Sequence, residues 1–147
     1  MTFIDFRSNR RRRTTTATCA DGSHGEFARL AGPLISCEAV LAETSHLIGR
    51  AGGRLDFIFE AMRRGQLLCP FRMEDEVDSV HGLLNRYSDV PMSLADACLV
   101  RMAELYGSSP VLMLDRGFSV YRKNGRQVIP LISPKQAVEK HPESRSC

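Results

Sequence analysis

Val111-Leu112-Met113-Leu114-Asp115-Arg116-Gly117-Phe118 reads as a short apolar strand that ends on a carboxylate. Four consecutive apolar residues without alternation suit a strand covered on both faces, as in a parallel sheet flanked by helices. Asp115 would then stand at the C-terminal end of that strand, where open α/β sheets place their ligands. The plainer use of this aspartate is to open the turn Asp115-Arg116-Gly117.

The stretch before it, Pro91-Met92-Ser93-Leu94-Ala95-Asp96-Ala97-Cys98-Leu99-Val100, predicts a helix capped by Ser93, running to Tyr106 and stopped by Gly107. Asp96 falls on the apolar stripe with Met92, Leu99, Val100 and Ala103. Its spacing from Ser93 allows a capping box, although that motif prefers Glu or Gln. A buried carboxylate must be paired or bound to a metal, so Asp96 is a candidate site residue.

Further upstream, Ser36 is expected to cap a helix from Cys37 to about Arg50, with Val40, Leu47 and either Glu43 or Thr44 on one face. Leu55 to Arg64 predicts a second helix, apolar at Phe57, Ile58, Phe59 and Met62 and stopped by Gly65. Gln66 to Phe71 suits an edge strand interrupted by Pro70. Glu74 to Tyr87 predicts an amphipathic helix with Val77, Val80, Leu84 and Tyr87 inward. The helix dipole accounts for its acidic start of Glu74, Asp75, Glu76 and Asp78 without any site. Thr2 to Phe6 predicts a first strand, with Asp5 near its end. Tyr121 and Val128 to Ile132 suggest a closing hairpin around Asn124-Gly125. Short apolar strands alternating with helices imply an α/β fold with a mainly parallel sheet and helices on both faces.

The chain has 147 residues, 43% apolar and 25% charged, with a formal charge of +3. That suits one domain, expected over 1–132, with a polar tail over 133–147. Residues 7–25, with Arg10-Arg11-Arg12-Arg13 and Thr14-Thr15-Thr16, carry no apolar period. They suit a solvated segment, or a basic arm for a polyanion such as nucleic acid. No apolar run is long enough to span a membrane, and no secretory signal is evident, so a cytoplasmic chain is expected. The five cysteines form no zinc-ligand spacing and the four histidines are scattered. Neither a P-loop nor a serine–histidine or cysteine–histidine constellation is present.

Four acids therefore stand out: Asp5, Glu43, Asp96 and Asp115. Each has a plain structural use alone, and together they suggest a shared acidic pocket for a divalent cation. Mg²⁺ and Mn²⁺ favour such oxygen ligands. Three segments, Leu34-Ile35-Ser36-Cys37-Glu38-Ala39-Val40-Leu41-Ala42-Glu43, Tyr87 to Ala97 and Val111 to Phe118, make the chain resemble a PIN-domain ribonuclease of the VapC toxin type. The resemblance covers Gly32 to about Leu131.

It implies a three-layer α/β/α fold and metal-dependent hydrolysis of RNA. Glu43 matches the family's helix glutamate, Asp96 its helix aspartate, Asp115 its strand-end aspartate and Asp5 its first-strand aspartate. All four would be catalytic, and Asp5, Asp96 and Asp115 would hold Mg²⁺ or Mn²⁺. The implied partners are RNA, a small antitoxin protein and a second copy of the chain. A PIN-like module that only binds RNA or protein is the alternative.

Two departures mark this chain. Gly117 replaces a further acid, and Phe6-Arg7-Ser8 with the arginine run replaces the apolar helix that usually follows the first strand. A single-base shift of frame turns aspartate codons (GAC) into threonine codons (ACG), which would account for Thr14-Thr15-Thr16. The neighbouring frame of the gene is then expected to encode an apolar helix, and a gene without one would sink the idea.

Overall fold

A computed structural model describes residues 2–5, 33–107, 109–113 and 117–132, with only the backbone given at residues 2–5, 113 and 132. The basic stretch 7–25, Asp115 and the tail 133–147 lie outside those residues.

The central sheet has five short strands in the order β3-β2-β1-β4-β7, and every neighbouring pair runs parallel. The strands are β1 (Thr2–Asp5), β2 (Leu34–Ile35), β3 (Leu67–Leu68), β4 (Val111–Met113) and β7 (Leu131–Ile132). The strand Val111 to Asp115 expected from sequence is described as far as Met113. β1 lies in the middle, with Phe3 level with both Ile35 and Val111. The chain winds from β1 through β2 to β3 on one side, then returns to place β4 on the other. The strand order thus reverses at β1 and β4, and their C-terminal ends flank the crevice where such sheets bind ligands.

Four helices are described: α1 (Glu38–Arg50), α2 (Asp56–Arg63), α3 (Val77–Arg86) and α4 (Leu94–Leu105). Successive strand residues point to opposite faces, and the apolar clusters follow that alternation. Ile35 and Val111 join a large cluster with Val80 and Leu83 of α3 and Leu99, Val100 and Met102 of α4. Leu34 and Leu112 join a smaller one with Ile58 of α2 and Leu67. The chain is therefore of mixed α/β class, with apolar side chains packed on both faces of its sheet. No helix among the described residues is long and apolar enough to cross a membrane.

Three expectations need correction. Ser36 does not cap α1: Cys37 occupies the N-cap and makes no side-chain capping bond. The Ser36 N–H donates to the Leu68 carbonyl at 2.8 Å, so this residue still belongs to the strand ladder and its side chain turns into the interior. Val77 is 54% exposed, and Leu83 takes the buried place expected of it. The cause lies in the acidic start, where Met73–Asp75 form a separate 3-10 turn and α3 begins later. Those acids also do more than meet a helix dipole. Arg72 pairs with Glu74 and Asp75, and Arg101 of α4 pairs with Glu76 at 2.7 Å. Finally, the Asn124-Gly125 hairpin forms as predicted, with both residues at positive φ, as a type I′ turn requires. Its strands, β5 (Arg122–Lys123) and β6 (Gln127–Val128), make a separate two-stranded sheet, while β7 adds to the edge of the central one.

Candidate functional site

The acids converge through Ser93, the residue that starts α4. As N-cap, Ser93 accepts a hydrogen bond from the Asp96 N–H at 3.1 Å. Its own N–H donates to Asp96 Oδ2 at 2.9 Å, which completes the capping box. Its hydroxyl then donates across the helix interface to Glu43 Oε2 on α1 at 3.3 Å. One serine thus joins two carboxylates that lie on different helices.

Asp96 is fully buried. The Tyr121 hydroxyl donates to its Oδ2 at 3.3 Å, from just beyond the 3-10 turn Gly117–Val120. Tyr121 is held in turn by edge-to-face contacts with Tyr87 and Phe118, each with ring centroids 5.2 Å apart. The structural use of Asp96 as the closing residue of a capping box is therefore real. It does not exhaust the residue, because an exposed box would have served the helix at less cost in desolvation. Glu43 is half-buried, and its partner here is a neutral hydroxyl rather than a cation.

Asp5 is the last residue of β1, level with Met113 of β4. That position is the C-terminal end of the central strand, at the reversal of strand order. Asp115 follows Met113 by two positions in sequence but lies outside the described residues. The structure thus brings Glu43 and Asp96 together and puts the Asp5 backbone at the crevice. Among the described residues, no three histidine, cysteine, aspartate or glutamate side chains gather to hold a metal; the side chains of Asp5 and Asp115 are not among them. The donor chemistry that is described, two carboxylates with a hydroxyl between them, fits a hard cation such as Mg²⁺ or Mn²⁺.

Sequence reasoning missed two contributors. Tyr121 reaches Asp96 from 25 residues away, a contact with no local signal. Ser36 is fully buried, and its hydroxyl finds no hydrogen-bond partner. It stands just past β2, next to the strand that ends on Asp5, and a Ser directly after two apolar strand residues was its only sequence signal.

Beside these acids lies an open cleft of ≈ 790 Å³, lined by Cys37, Cys98, Phe71, Arg72 and Met73 among others. The Cys98 thiol hydrogen-bonds Cys37 and lowers the Cys37 pKa, against the opposing effect of burial. The same bond pushes Cys98 up. Burial raises Cys69, at the end of β3, to about 11.

No protein-family model matches this sequence, and no curated protein matches it either.

Proposed function

We propose that this chain is a metal-dependent endoribonuclease of the PIN-domain, VapC-toxin kind. What supports the reading most is the Glu43–Ser93–Asp96 link, which unites two acids from separate helices around one hydroxyl. The parallel sheet with apolar packing on both faces is what the three-layer PIN fold would require, and Asp5 at the end of β1 is where that fold would use it.

In this reading Asp5, Asp96 and Asp115 hold Mg²⁺ or Mn²⁺, and Glu43 completes the catalytic set. A bound divalent cation would lower the pKa of a water and offset charge on the phosphodiester. Ser93 holds the Glu43 and Asp96 carboxylates in fixed relation, and Tyr121 steadies Asp96 from the far side. A small antitoxin and a second copy of the chain are the partners that go with this reading.

The second reading, a non-catalytic PIN-like module, draws on one observation. Oδ2 of Asp96 already accepts two hydrogen bonds, from the Ser93 N–H and the Tyr121 hydroxyl. Incubation with a short unstructured RNA separates the two. The nuclease reading expects cleavage in Mn²⁺, loss of cleavage in EDTA, and a fall of at least about 100-fold in Asp115→Asn. RNA that is bound but left intact in Mn²⁺ by a folded protein would favour the binding module.

A further inference from the structure

We propose that Cys37 and Cys98 form a dithiol site for thiol–disulfide exchange, which reacts with low-molecular-weight disulfides and closes to an internal disulfide. The inference stands apart from the nuclease reading. It rests on three observations about the place of these residues.

The first is contact between elements distant in sequence. Cys37 is the N-cap of α1 and Cys98 lies inside α4, yet their thiols share a hydrogen bond, and both side chains belong to one core cluster. Two packed sulfurs are the precondition for a disulfide, since bridging distant thiols would need backbone movement. The second is access. Both residues are almost wholly buried against protein, and both line the same open cleft of ≈ 790 Å³, so a small disulfide has a route to them. The third is the helix N-terminus under Cys37, a setting that favours a thiolate. The amides of Ala39 and Val40 act on its sulfur in that direction, although neither completes a capping hydrogen bond.

The steps balance. The Cys37 thiolate attacks one sulfur of RS–SR, forming a mixed disulfide and releasing RS⁻. Cys98 gives up its proton to that thiolate and attacks the Cys37 sulfur. The mixed S–S bond breaks, the internal bond forms, and a second RS⁻ leaves and takes a proton from water in exchange for the one Cys37 first lost. In sum, two protein thiols and one RS–SR become one protein disulfide and two RSH. The closed bond would tie the first residue of α1 to α4 two residues beyond Asp96, and so clamp the two helices that carry Glu43 and Asp96.

Cys69 is the natural competitor. It sits at the end of β3, close enough for the Cys37 charge to raise its pKa, but burial and that charge both hold it as a thiol. It is therefore expected to stay reduced.

The test uses the full-length folded protein and oxidised glutathione as the probe, followed by alkylation, digestion and mass spectrometry. The expected result is a cross-linked peptide pair containing Cys37 and Cys98, two hydrogens lighter than the reduced pair, with Cys69 alkylated. In Cys98→Ser, reaction should stop with one glutathione on Cys37. The wild-type protein decides the matter even if that variant does not fold. Cys37 and Cys98 both alkylated while other cysteines carry glutathione, or a bond from Cys37 to Cys69, would overturn the proposal.

Discussion

The two faces of the sheet are built to different standards. On one, α3 and α4 bury a continuous apolar layer: Leu99, Val100, Met102 and Ala103 of α4 are all fully buried, and a carboxylate is sealed in among them. On the other, Ile58 is the buried residue of α2, while Phe59 and Met62 on the same helix are 54% and 38% exposed. The contrast teaches where precision is needed. A buried acid is tolerable only where its partners are held in place, and the α4 face supplies them through Ser93 and Tyr121. The α2 face carries no such group and tolerates loose packing.

Substitutions on the α4 face should break that contrast first. Leu99→Ala removes a fully buried side chain from the larger cluster and should cost about 2–5 kcal/mol in urea unfolding. Next comes Asp96→Ala, which strands the Tyr121 hydroxyl and removes half of a capping box. It should cost about 2–3 kcal/mol, whereas Asp96→Asn, which keeps an acceptor oxygen, should cost clearly less in the same titration. An Ala as benign as the Asn would mean that the cap and the tyrosine bond contribute little.

Arg101 joins α4 to Glu76 at 2.7 Å and to Glu104 at 2.9 Å, with only 24% of its side chain exposed. Arg101→Ala should fall between the ~1 kcal/mol of an exposed pair and the ~3–5 kcal/mol of a buried one. On the opposite face, Phe59→Ser should change stability by no more than about 0.5 kcal/mol. A loss comparable to that of Leu99→Ala would show that the α2 face is as tightly built as the other.

Local pattern carried the helices and most of their ends. The Ser93 cap, the α4 stripe, the Gly107 stop and the Asn124-Gly125 turn each declare themselves within a few residues. Gly107 and Gly125 take the positive φ that those signals imply. The failures came where an element's face depends on something outside its own sequence. Val77 fits the inward period of α3, but the 3-10 turn before it shifts where the helix begins. Ser36 has the chemistry of a cap, but pairing with β3 keeps it in the ladder.

The site divides along the same line. That Asp96 sits on a buried stripe is legible from spacing alone. That its carboxylate and Glu43 meet on one serine depends on how α1 packs against α4, which no periodicity encodes. Asp5 could be read as a strand end, but its place at the reversal of strand order needed the sheet.

The central claim is that these acids form a divalent-cation site, and Mn²⁺ binding by calorimetry tests it most directly, with wild type, Glu43→Gln and Asp115→Asn compared at one pH. The account predicts saturable binding by the wild type that is lost in Asp115→Asn and weakened in Glu43→Gln, with all three proteins unfolding at similar urea concentrations. A folded wild type that takes up no Mn²⁺, or binding that Asp115→Asn leaves unchanged, would contradict it.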